Sequence, residues 1–152
     1  MECHSAKKVR TVVLLLLFGV SGFGMAEQPE AAIHQILDRF EESFLEKDLD
    51  MIDSILAEDW VMATPSRDGD GAHLIDKTQY LRIEERRFSG TTWLEHRHAN
   101  RRIEIRGPVA TSKSTIVDRT ENGPPGRRGV YHVYALLEGE WKVVFTTPSL
   151  AE

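Results

Sequence analysis

Between Ile33 and Pro65 the chain reads IHQILDRFEESFLEKDLDMIDSILAEDWVMATP, two amphipathic helical patterns that run straight into a strand pattern. Ile33, Ile36, Leu37, Phe40 and Phe44 recur at three- and four-residue steps, which puts them on one helix face built for burial. Asp48 or Asp50 is placed to cap the second helix, because a short carboxylate accepts hydrogen bonds from the orphan backbone N–H groups of a first turn. Met51, Ile52, Ile55 and Leu56 supply its apolar face, and Asp59 is expected to end it. Two short helices joined this tightly must pack as a unit against whatever Trp60 to Thr64, the first strand, belongs to.

Downstream, Ser66 to Gly71 (SRDGDG) has the composition of a loop, and Asp76 is a candidate cap for a third helix with Tyr80, Leu81, Ile83 and Phe88 inward and Ser89-Gly90 at its end. Four strand candidates follow: Thr91 to Arg106, Val109 to Arg119, Gly129 to Leu137 and Trp141 to Thr147. Gly107-Pro108, Asn122 to Gly126 and Glu138 to Glu140 separate them with turn chemistry, and short turns imply antiparallel neighbours. Helices first and meandering strands afterwards predict an α+β domain with the helices on one face of a curved sheet.

Residues 1–26 have the pattern of an export signal. Lys7, Lys8 and Arg10 precede an apolar run from Val12 to Val20, and Gly24 and Ala26 stand at the minus-three and minus-one positions of a cut before Glu27. The run is short for a membrane span, so cleavage and a periplasmic or secreted product are expected; a retained N-terminal anchor is the alternative. Cleavage leaves one domain, residues 27–152, with 16 basic and 23 acidic side chains, a net charge of −7. It also removes Cys3, the only cysteine, and with it disulfides, thiol catalysis and thiolate zinc sites. An acidic chain lacks the concentrated basic surface that nucleic acid requires. No stable membrane insertion is expected once the signal is gone.

The order helix, EKDLDMIDSILAEDW, strand, third helix and four strands ending in a two-residue turn before EGEWKVV resembles the nuclear transport factor 2-like superfamily, in its SnoaL-like bacterial branch. The resemblance runs from about Glu30 to Ser149. It implies a cone, in which a bent sheet wraps the helices around an apolar pocket, and it implies homodimers formed through the exposed sheet. Ketosteroid isomerases of that superfamily use a tyrosine on the first helix and a carboxylate base near the first strand. Here the comparable positions offer Phe40, Phe44 and Thr64, none of which can move that proton.

Other residues are candidates for a pocket. On Thr91 to Arg106, strict alternation puts Trp93, Glu95, Arg97, Arg101 and Ile103 on one face, where Arg97 or Arg101 could grip a substrate carboxylate; otherwise they are solvated or paired with Glu95. His96 and His98 fall on the opposite face, suited to a surface or subunit interface, or to zinc with His132 as a third ligand, although no metal site is expected. His132, in an apolar strand, reads either as a core histidine or as an acid–base group paired with Asp118 or Asp59. Phe40, Phe44, Trp60, Tyr80 and Tyr134 complete the expected lining. The absence of a glycine-rich phosphate loop, a G-x-S-x-G elbow or an H-E-x-x-H helix leaves three readings: a binder of a small apolar ligand, a cofactor-independent lyase, isomerase or hydrolase, and a homo-oligomeric assembly module.

Overall fold

A computed structural model describes residues 28–66 and 71–149; the expected export signal lies outside them. The elements are α1 (Pro29–Glu46), α2 (Leu49–Ile55), β1 (Leu56–Pro65), β2 (Ala72–Asp76), α3 (Lys77–Gly90), β3 (Trp93–Arg106), β4 (Val109–Thr120), β5 (Gly126–Leu137) and β6 (Glu140–Ser149). The strands form one sheet in the order β2-β1-β6-β5-β4-β3. β1 and β6 are parallel and every other pair is antiparallel.

Local chemistry explains the joints. Pro29 opens α1, where its missing N–H is no loss, and Lys47 closes it in the left-handed conformation (φ 59°). Asp48 then serves both helices. Its N–H donates to the Ser43 carbonyl at 2.9 Å, and its carboxylate accepts from the Met51 N–H at 2.9 Å. Asp76 and Gln79 form a capping box at the start of α3. Gly107-Pro108 and Glu138-Gly139 are two-residue hairpin loops, the second with positive φ at both residues, as the twist of paired strands favours.

The core lies between the helices and the concave sheet face. Ile33, Ile36, Phe40 and Phe44 of α1 and Ile52 and Ile55 of α2 pack with Trp60, Phe88, Trp93, Tyr134 and Val143. Four local expectations are corrected. Residues 72–76 form an extra edge strand against β1. Asp59 does not end α2, which stops at Ile55; it lies exposed in β1, because Leu56 and Ala57 are already buried as strand residues. Ile83 is exposed on α3, and Glu84 is buried in its place.

The fourth correction concerns β3, which is two residues longer than its partner requires. The extra residues form bulges, one between Trp93 and Glu95 and one between Ala99 and Arg102. Each reverses the alternation. Trp93 therefore points inward, His96 and His98 point inward after the first bulge, and Ile103 faces Ser112 after the second. Asn100, at φ 53°, supplies the left-handed residue of the second bulge.

Candidate ligand-binding site

α1, α3, β1 and the concave side of β3–β6 line a pocket of about 190 Å³ that is partly open to solvent. α1 contributes Phe40 and Phe44, β1 Met62, and β4 Ile116; Val130 and Pro148 complete the apolar wall. α3 contributes Tyr80, Glu84 and Arg87, at the four- and seven-residue steps that share a helix face. The polar wall consists of His96, His98, Arg128, His132 and Thr146.

Three imidazoles meet here because β3 is bulged. His98 lies between the other two, with ring centroids 6.0 Å from His96 and 5.8 Å from His132. Phe44 stacks on His96 at 4.0 Å and Phe40 on His132 at 5.5 Å. Each ring is anchored at Nδ1 by an oxygen of a neighbouring strand. His96 Nδ1–H donates to Asp118 Oδ1 at 2.6 Å, His98 Nδ1 meets Ser114 Oγ at 2.9 Å, and His132 Nδ1 meets Thr146 Oγ1 at 2.9 Å. Among the described residues, no group of three or more His, Cys, Asp or Glu side chains is arranged to hold a metal ion.

A short hydrogen-bond relay holds the His132 ring. Trp60 Nε1–H, which can only donate, donates to Thr146 Oγ1 at 3.0 Å. Thr146 Oγ1 keeps a second lone pair as well as its own hydrogen, so it can accept from His132 Nδ1–H or donate to Nδ1. His132 Nε2 is buried and has no partner among the described residues. Burial brings the His132 pKa down to about 4. His98 is also held well below its ordinary value, by burial and then by the two neighbouring histidines.

Charged groups at the cavity come in pairs. Arg87 Nη1 donates to both oxygens of the buried Glu84, at 2.9 and 3.1 Å, and its guanidinium lies 5.2 Å from the Trp93 ring centre. Arg128 pairs with Asp118. Burial alone would raise Asp118, but the His96 hydrogen bond and the Arg128 charge prevail and hold its carboxyl below the usual range. Burial raises Glu84 against the opposing pull of Arg87, and burial with the Glu84 charge raises Tyr80.

Of the residues expected from the sequence, Phe40, Phe44, Tyr80 and His132 line the cavity. Trp60 and Tyr134 sit in the core beside it, Trp60 bonded to Thr146 and Tyr134 to Ser112 at 2.8 Å. The arginines expected to enter the cone are engaged elsewhere. Exposed Arg97 pairs with Glu95 at 2.7 Å, and Arg101 pairs with Asp38 and Glu41 of α1 at 2.6 Å each. Asp118 reaches His96 rather than His132, and Asp59 is remote on the exposed side of β1. His96 and His98 belong to the cavity wall, not to an outer pairing face.

Glu84, Arg87, Arg128 and Thr146 were not anticipated. Glu84 and Arg87 could have been found from their helical spacing to Tyr80; Arg128 and Thr146 depend on strand register, which carries no local signal.

No protein-family model matches the chain, and no curated protein sequence matches it significantly. Solved structures do. A nuclear transport factor 2-like protein from Cytophaga hutchinsonii superposes with a TM-score of 0.68 at 13% identity, covering 81% of this chain and 98% of that one. One of unknown function from Pseudomonas putida gives 0.67 at 17% identity, covering 79% and 84%. A third, from Novosphingobium aromaticivorans and described as having a cystatin-like fold, gives 0.62 at 15% identity, covering 80% of each chain. With three helices held in a bent six-stranded sheet and the cavity between them, this chain has the nuclear transport factor 2-like fold.

Proposed function

We propose that the chain is an exported, SnoaL-like domain that takes up a small, mostly apolar ligand in its cone. One observation carries this reading: a pocket of about 190 Å³ lies inside the cone, walled largely by aromatic and aliphatic side chains with His96, His98 and His132 among its polar lining. The basic, apolar and small-residue succession of residues 1–26 supports export, and an N-terminus at Glu27 in the mature protein would confirm it.

Thermal unfolding of the purified protein against a library of small cyclic compounds tests the binding reading. A ligand at a hundredfold over its dissociation constant adds roughly 2.7 kcal/mol of stability. The hits should weaken in His132→Phe, which keeps the ring stacked on Phe40 and removes its bond to Thr146.

A second reading, acid–base catalysis without a cofactor, is favoured by the Asp118–His96 link. With its Nδ1–H committed to Asp118, His96 keeps Nε2 as the ring nitrogen left for proton exchange with a ligand in the pocket. Turnover of a bound ligand that disappears in Asp118→Asn would establish it; binding without turnover would remove it.

Self-association is the third proposal. On the outer sheet face, opposite His132, Tyr131 pairs with Lys113 and Thr147, and Val133 with Thr111 and Phe145, a row of half-buried residues suited to a second copy. Sedimentation giving a dimer mass at micromolar concentration supports it, and a monomer contradicts it.

A further inference from the structure

The charges around the pocket are layered. Histidines aside, its charged lining among the described residues is Glu84 and Arg87 of α3 and Arg128 of β5. The carboxylate is the hidden member. The Glu84 side chain is 2% exposed against 39% for Arg87, and Asp118, the partner of Arg128, is 9% exposed against 48% for that arginine. Negative charge is thus buried in the wall, while positive charge faces the side open to solvent. Both guanidinium charges also bear on Glu84 and on the Tyr80 hydroxyl, which places them at the same end of the pocket.

Each arginine is held from behind. Both Glu84 oxygens accept from Arg87 Nη1, at 2.9 and 3.1 Å, and this guanidinium lies 5.2 Å from the Trp93 ring centre. Arg128 Nη1 donates to Asp118 Oδ2, and His96 bonds the other oxygen. A guanidinium carries five N–H donors in a rigid fork, so with Nη1 engaged, Nε and Nη2 remain for a second acceptor. A fork fixed in advance loses little further side-chain entropy when it grips an anion. Partial exposure lets that anion keep some of its hydration and escape the full cost of a buried charge. Buried Phe40, Phe44 and Ile116 line the same pocket and offer apolar surface to the rest of a ligand.

We infer that the pocket selects a small amphipathic carboxylate, whose apolar body lies against Phe40, Phe44 and Ile116 while its head group meets Arg87 and Arg128. This rests on the pocket's being a binding site and names the ligand class. The pocket is partly open to solvent, so its volume does not fix the length of that body.

Calorimetric titration and thermal shift with matched pairs test it: hexanoate against hexanamide, and phenylacetate against phenylacetamide. Each acid should bind at least about tenfold more tightly than its amide, a difference of about 1.4 kcal/mol, and the advantage should shrink as salt is added. Acetate, which has the head without the body, should bind at least about tenfold more weakly than hexanoate. Arg128→Gln, at a half-exposed residue whose partner Asp118 keeps His96, should weaken the acids about tenfold and leave the amides unchanged. Removing Arg87 alone would strand the buried Glu84, so the two are replaced together in Glu84→Gln/Arg87→Gln, with the same result expected. The wild-type pairs and Arg128→Gln decide the matter even if the double variant fails to fold. Amides binding as well as acids would overturn the carboxylate class and leave the binding reading intact. Acids unaffected by Arg128→Gln or by the double variant would overturn the assignment to this arginine pair. Failure of every probe to bind would overturn both the class and the binding reading.

Discussion

Trp60 and Thr146 hold the His132 ring in place. Both are buried, and Thr146 Oγ1 accepts from Trp60 Nε1–H while bonding His132 Nδ1. The same burial makes His132 a stability determinant. An unfolded chain takes up a proton near pH 6.5, whereas the folded protein holds this ring neutral down to about 4. Between those values the folded state binds fewer protons, so the contribution is fully present above 6.5 and is lost as pH falls through 4. The gap integrates to roughly 3 kcal/mol, of which about 2 is lost between pH 7 and pH 5. His98 acts with the same sign; Glu84, raised by burial, acts with the opposite one. Urea unfolding of wild type and His132→Phe at the two pH values separates them, and the variant should lack that decrease of about 2 kcal/mol. An identical pH dependence in both proteins would contradict a neutral buried His132.

At the scale of elements, much of the architecture was legible because its signals are local. The apolar period of α1, the Asp48 and Asp76 caps and the turn residues at 107–108 and 138–139 all act within a few residues of where they stand. Asp48→Ala should cost about 1 kcal/mol in chemical denaturation, the usual worth of such a cap. The site was less legible. Strict alternation along β3 places the arginines inside and the histidines outside; the first one-residue bulge reverses this for His96, Arg97 and His98, and the second restores the original alternation from Arg102 on. Bulges arise from pairing with β4, so nothing within β3 announces them, except that Asn100 tolerates the left-handed backbone. A β-branched residue there would strain that backbone, so Asn100→Val should destabilise by about 1–2 kcal/mol. Asn100→Gly tests whether the conformation is what matters, and it should lose much less. Equal losses would mean that the Asn100 side chain, not its φ, holds the bulge.

The whole molecule is a cone that spends its charges in pairs. Eleven acids between Glu27 and Asp59 stand against seven arginines between Arg82 and Arg106, and the fold uses that asymmetry: Arg101 of β3 ties to Asp38 and Glu41 of α1, clamping the helix over the sheet at the cavity's side. Arg101 is largely covered by these contacts. Arg101→Ala should therefore destabilise the protein and loosen α1 over the cavity, visible as faster amide exchange in α1 than in β5. Uniform exchange changes would argue against a clamp.

The central claim is that the interior is a binding site organised by His132. Thermal unfolding of wild type and His132→Phe, in parallel, against the library of small cyclic compounds tests it most directly. The account predicts reproducible hits in wild type that shrink or vanish in the variant. Hits of equal size in both proteins would contradict a site organised by His132.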